Sequence, residues 1–147
     1  MKQKSRRRAT RQRILLAAAE SFAENGFRGT TVRAICSKAK ANVAAVNYYF
    51  GSKEQLYVEA YEFVFQHSPL YALADKPLEV ASPADWEREL MAWATSVLDV
   101  MRGTEKWHNW QCKLFARERT DPSKVLPVIL EKYFIPIETR LDQLLSM

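Results

Sequence analysis

The sequence is short of the residues on which catalytic loops, disulfide scaffolds and metal sites are usually built. It has four glycines in 147 residues, and none sits in a phosphate-cradling loop or a nucleophile elbow, so nucleotide-dependent and acyl-transfer chemistry lack their usual footing. Its two cysteines, Cys36 and Cys112, lie far apart on separate predicted helices. That arrangement suits free thiols in a reducing cytoplasm better than a structural disulfide. His67 and His108, its two histidines, stand alone, without cysteines or paired carboxylates at metal-ligand spacing, so neither a metal nor a cofactor is expected. No apolar run approaches the ~18 residues of a membrane span. These absences argue against an enzyme and against a membrane-spanning chain.

Acid is what the first third lacks. Residues 1–53 hold twelve Lys and Arg against two acids, a net of +10, and residues 54–147 hold ten against fifteen, a net of −5, which together give the +5 of the chain. A solvated surface mixes the two signs, whereas clustered positive charge is rewarded by a polyanion through counterion release. The leading MKQKSRRRATRQR carries seven basic residues and no acid, and it has no apolar core of the length a signal peptide needs. Residues 1–9 therefore read as a basic disordered arm, in which Arg6, Arg7 and Arg8 can reach a phosphate backbone or a neighbouring minor groove. Charge by itself does not separate DNA from RNA, an anionic membrane or an acidic protein.

Helical periodicity makes the separation sharper. From Thr10 to Asn25, Ile14, Leu15, Ala18 and Phe22 form one apolar stripe, and Asn25-Gly26 supplies a stop. Thr30 or Thr31 can cap a second helix carrying Val32, Ile35, Cys36 and Ala39. Lys40-Ala41-Asn42 breaks the rhythm, and Asn42 can cap a third helix that buries Val46 and Phe50 while showing Val43, Ala44, Ala45, Asn47 and Tyr48 or Tyr49. Gly51 closes that helix, and Ser52 with Gln55 forms a capping box for the next. Two sharp turns within about twenty-five residues, around a core of Ile14, Phe22, Ile35, Val46 and Phe50, predict a three-helix helix-turn-helix domain over residues 10–51.

The rest, residues 52–147, reads as a helical regulatory domain. A connecting helix is expected over 52–68, with Leu56, Ala60, Phe63 and Val64 on one side and Ser68-Pro69 as its end. A proline-marked loop follows at about 69–84, then helices at about 85–102, 105–119 and 123–145, the last kinked at Pro136. The fold class is all-α throughout.

Thr30-Thr31-Val32-Arg33-Ala34-Ile35, then Ala44-Ala45-Val46-Asn47-Tyr48-Tyr49-Phe50, then Ser52-Lys53-Glu54-Gln55-Leu56 resemble the N-terminal domain of TetR/AcrR-type transcriptional regulators over roughly residues 10–57. The resemblance implies an all-α homodimeric repressor in the cytoplasm, bound to palindromic double-stranded DNA and released when a small-molecule effector of unknown identity enters the C-terminal domain. Family members usually continue with further helices that pair across a two-fold axis, so the resemblance implies either a chain truncated at its C-terminus or a dimer built on fewer helices. Dimers of this kind present two recognition helices about one DNA turn apart, roughly 34 Å. Lys40 stands where most members have glycine, which predicts a non-glycine residue at positive φ at about 1 kcal/mol. Tyr49 stands where many have histidine, and its hydroxyl can still donate to a phosphate.

Chemistry then assigns roles along this segment. Asn42 or Asn47 can pair bidentately with adenine, and Val43, Ala44 and Ala45 can meet thymine methyls. Phosphate anchors are expected from Thr30 and Thr31 near a helix N-terminus and from Tyr48, Tyr49 and Lys53, with Arg28 and Arg33 flanking. In the C-terminal region, which holds all four tryptophans, Phe63, Trp93, Trp110, Gln111 and Phe115 are the candidates to line an effector pocket. The competing function is a helical interaction module whose basic end docks on an anionic membrane or an acidic protein. It predicts indifference among polyanions, where a regulator predicts a high ratio for one palindromic duplex.

Overall fold

A computed structural model of the chain describes the backbone of residues 2–147 and the side chains from Ser5 onward. The described residues form nine α-helices and a π-helical turn, with no strand among them. The helices are α1 (Lys2–Gly29), α2 (Val32–Ala39), α3 (Val43–Phe50), α4 (Lys53–Phe65), α5 (Pro69–Ala74), α6 (Pro83–Arg102), α7 (Lys106–Thr120), α8 (Leu126–Ile129) and α9 (Ile135–Leu145), with the π-helical turn (Leu130–Phe134) between the last two.

The arm expected to be disordered is instead the start of α1. It contains neither glycine nor proline, its Arg, Lys, Gln and Ala are good helix formers, and the buried stretch from Ile14 supplies a nucleus from which the helix extends outward. Near its other end Gly26 leaves helical geometry at φ 71°, ψ 178°. That break lets the Thr30 hydroxyl donate back to the Gly26 and Ser21 carbonyls, at 2.8 and 3.0 Å. The break expected at Asn25-Gly26 is thus a kink with a further turn behind it.

Capping fixes most other boundaries. The loop expected over 69–84 contains α5, because Ser68 caps it and Pro69 occupies its first turn, where a missing N–H costs nothing. The same Ser-Pro pair that ends one helix starts the next. Ser82 caps α6 and Pro83 again opens it, two residues before the expected start, while Gly103 at φ 61° closes it. In the last segment the expected kink at Pro136 is preceded by the π-helical turn, a local widening of the kind that accommodates an interrupted hydrogen-bond ladder.

One core runs through the chain. Ile14, Phe22 and Ile35 are fully buried, Val46 and Phe50 nearly so, and the same cluster continues through Leu56, Tyr57, Tyr61, Val64 and Phe65 of α4 to Leu114, Ile129 and Tyr133. Helix α4 is buried on more than the single side its periodicity suggested, because α1, α7 and α8 all pack on it. Each such side chain contributes about 1.5–3 kcal/mol relative to exposure. Farther out, α9 is fastened to α6 and the 75–82 loop: Arg140, 4% exposed, donates to Glu89 at 2.8 Å and to the Lys76 carbonyl at 2.9 Å, and the Trp86 indole donates to the Leu144 carbonyl at 2.7 Å. None of the described helices is long and apolar enough to cross a membrane.

Candidate nucleic-acid interface

The turn between α2 and α3 is built by backbone bonds and two caps. Lys40 closes α2 in the left-handed region at φ 49°, ψ 48°. Its N–H donates to the Ser37 carbonyl at 3.2 Å, and the Ala41 N–H reaches the Cys36 carbonyl at 2.9 Å. This is a Schellman closure with lysine at the position glycine favours. Thr31 caps α2, accepting from the Ala34 N–H at 3.1 Å, and Asn42 caps α3, accepting from the Ala45 N–H at 2.8 Å. Gly51, at φ 77°, ends α3, and Ser52 starts α4 by accepting from the Gln55 N–H at 3.1 Å. With both ends defined and Val46 and Phe50 anchored in the core, the outer side of α3 has a fixed orientation.

That outer side carries Asn42, Val43, Ala44, Asn47 and Tyr48, all exposed, with Tyr48 at 70%. Ala45 and Tyr49 are half-buried. The Tyr49 ring lies edge-on to Tyr48 at 5.0 Å and to Phe50 at 6.2 Å, so it braces the protruding Tyr48 against the core. Asn42 spends its oxygen on the cap, which leaves Asn47 as the asparagine with both amide atoms available for a bidentate pair. Thr31 and Arg33 are exposed at the start of α2.

One expected anchor faces inward. Thr30 is 2% exposed and its hydroxyl is committed to the Ser21 and Gly26 carbonyls, so it is a folding residue and not a phosphate contact. Adjacent threonines before a helix look alike in sequence, and the Gly26 kink is what turns one inward. Arg28 pairs with Asp121 at 3.2 Å at the junction with the C-terminal half.

Lys53 is partly buried, with its ammonium 4.4 Å from the Phe27 ring centroid. That desolvation lowers its pKa from the ordinary lysine value; Glu54 acts in the opposite sense, and the charge of Lys124 adds to the lowering. Phe27 in turn packs against Phe22 and Tyr57, so the cation is seated on the core.

Residues 14–60 match the family model for bacterial regulatory proteins of the tetR family. That part of the chain is thus the DNA-binding region of a TetR-type regulator by similarity. Among its relatives, the HTH-type transcriptional repressor NicS of Pseudomonas putida is 39% identical over 84 residues, covering 57% of this chain and 39% of NicS. The HTH-type transcriptional dual regulator CecR of Shigella flexneri is 28% identical over 142 residues, covering 92% of this chain and 63% of CecR. The match therefore spans less than two thirds of either relative. The crystal structure of HlyIIR, a hemolysin II transcriptional regulator, superposes with a TM-score of 0.65 at 27% identity, covering 95% of this chain and 73% of that one.

The five residues expected to line an effector pocket have different surroundings. Phe63 lines a polar groove of about 480 Å³ with Arg11, Glu59, Glu62 and His67, in which the other four take no part. Phe115 is 40% exposed, its ring tilted against Phe134 at 5.1 Å. Trp110 stands edge-on to Trp107 at 5.4 Å. Trp93 and Gln111 differ from these: the Trp93 Nε1 and the Gln111 Oε1 are buried without a hydrogen-bond partner, as are the His108 Nδ1 and the hydroxyls of Tyr61 and Tyr133. No group of three or more His, Cys, Asp or Glu suited to a metal ion occurs among the described residues.

Sequence reading did not foresee the seam between the helix-turn-helix and the C-terminal half. Glu118, 3% exposed, accepts from the Tyr57 hydroxyl at 2.7 Å and from the Ser123 N–H at 3.0 Å. Arg117 donates to the Glu24 carbonyl, and Lys124 pairs with Glu54 at 2.8 Å. Tyr57 and Glu54, the α4 partners of Glu118 and Lys124, are about sixty and seventy residues away in sequence, beyond the reach of any local pattern.

Proposed function

We propose that the chain is a DNA-binding transcriptional regulator, a repressor that holds a palindromic operator as a homodimer in the cytoplasm and lets go when a small molecule occupies its C-terminal half. The observation that carries this reading is the outer side of α3: Val43, Ala44, Asn47 and Tyr48 exposed together on a helix whose caps and core contacts fix its orientation. Such a surface offers one bidentate amide and several methyl groups, which is what major-groove readout uses. Thr31, Tyr48, Tyr49 and Lys53 around it, with Arg33 to one side, supply the phosphate contacts. The basic character of residues 1–53 supplies the sequence-independent part of the affinity.

The sign of regulation follows NicS, whose name is that of a repressor, while CecR is named a dual regulator. An effector site is supported by the unpartnered polar atoms of Trp93, Gln111 and His108, since buried donors and acceptors left alone cost about 1–3 kcal/mol each and a polar ligand relieves that cost. The reading requires no catalytic step.

Selection from a pool of random duplexes tests the proposal. Enrichment of an inverted repeat with half-sites about one helical turn apart is the expected result. Equal retention of all duplexes by folded protein would overturn it in favour of a basic module indifferent to sequence.

A further inference from the structure

The charge pattern around the start of α4 contains an anomaly. No carboxylate occurs between Glu24 and Glu54, so the whole stretch that builds the reading helix is free of acid until the residue directly after Lys53. A carboxylate in the first turn of a helix is favoured by the helix dipole. Next to a phosphate contact it is unfavourable, because the same charge repels the DNA backbone over about 10 Å at 0.1 M salt. Glu54 remains ionised, its pKa held below the usual carboxylate value chiefly by the hydrogen bond from Lys124.

Lys124 comes from the connection between α7 and α8, a different part of the chain. Its Nζ lies 2.8 Å from Glu54 Oε1, and three quarters of its side chain is exposed. Lys124 is also close enough to Lys53 to act on that ammonium. Around α4's first turn the order of charge is thus cation, anion, cation. With Lys124 in place the group is net positive; without it, Lys53 and Glu54 cancel.

We propose that Lys124 is a further determinant of DNA affinity, contributed by the C-terminal half: it neutralises Glu54 beside the Lys53 phosphate contact, so that the position of the 117–124 segment sets the electrostatics of the reading head. The inference rests on the DNA-binding reading. It also gives that segment a means of weakening DNA binding without moving α3, since withdrawal of Lys124 exposes Glu54 to the phosphates. An isolated surface pair of this kind contributes little to stability. Its consequence is expected in binding and not in folding.

The test compares four full-length proteins: wild type, Lys124→Ala, Glu54→Gln and the double variant. Each is titrated against a fluorescein-labelled duplex of mixed sequence, about three helical turns long, at several salt concentrations. Lys124→Ala is expected to weaken binding about three- to tenfold, most at low salt, and Glu54→Gln to tighten it by a similar factor. The double variant is expected to bind within about twofold of Glu54→Gln, because removal of Glu54 leaves Lys124 nothing to cancel. Thermal unfolding of all four should coincide. Binding by Lys124→Ala within about twofold of wild type would overturn the inference, as would a loss on adding Lys124→Ala to Glu54→Gln as large as the loss it causes in the wild type. Wild-type protein that binds no duplex would instead overturn the DNA-binding reading and the inference with it.

Discussion

Lys53 carries a charge that its surroundings oppose. Seated over Phe27 and near Lys124, its ammonium loses hydration that an exposed lysine keeps, and its pKa falls. A lysine with a lowered pKa is fully charged below that value and neutral above it. Its phosphate contact is therefore complete at neutral pH and fades as pH rises, earlier than the contacts of ordinary lysines. DNA affinity of the wild type should decline on the alkaline side before general lysine titration, and Lys53→Arg, always charged, should flatten that decline. Fluorescence titrations across alkaline pH check this, and identical profiles for the two proteins would remove Lys53 as the anchor. Asn47 belongs to a different class of contact. Asn47→Ala should relax preference at one base pair by about 1–3 kcal/mol, whereas Lys53→Ala should weaken all duplexes alike. Affinities for a panel of single-base operator variants separate the two.

At the scale of elements, the end of α2 is strained at Lys40, the only non-glycine residue at positive φ among those described. Lys40→Gly should stabilise the fold by about 1 kcal/mol, read as a higher midpoint of urea unfolding with an unchanged slope. Little change would mean that glycine's entropy in the unfolded chain offsets the relief. This strain was legible beforehand through the resemblance, because Lys40 stands where most family members have glycine. So were the caps at Thr31, Asn42 and Ser52, since the short side chain and the backbone N–H it accepts from are three residues apart. What was not legible depends on partners distant in sequence. The helical start of α1 follows from its attachment to a buried helix, and the inward turn of Thr30 follows from the Gly26 kink. The burial of Tyr57 and Tyr61 follows from α7 and α8 closing over α4. The pocket side chains were the least legible, because aromatics at helical spacing look the same whether they face a cavity, the core or, like Phe115, the solvent.

The molecule as a whole joins a cationic half to an anionic one through a single continuous core, and the polar part of that junction centres on Glu118. Its two oxygens accept from Tyr57 of α4 and from the Ser123 backbone. Burial, the neighbouring Tyr61 and Glu118 itself push the Tyr57 phenol far above its ordinary pKa, so it remains a donor at neutral pH. Tyr57→Phe removes one donor from a buried carboxylate and should cost about 1–3 kcal/mol. Glu118→Ala leaves both the phenol and the Ser123 N–H without an acceptor and opens space beside α4, so it should cost more, about 2–5 kcal/mol. The double variant should fall well short of the sum, since both changes break the same bond. Because Phe22, Tyr57, Leu114 and Tyr133 belong to one core, the loss should appear as a shift of one cooperative transition, with the two halves unfolding together. Unfolding followed at once by tryptophan fluorescence, which reports only the C-terminal half, and by far-ultraviolet circular dichroism, which reports all helices, makes the comparison. Coincident curves for wild type and variants carry the argument, and an early circular-dichroism transition without a fluorescence change would mean that the reading head is held by its own small core instead of by the seam at Glu118.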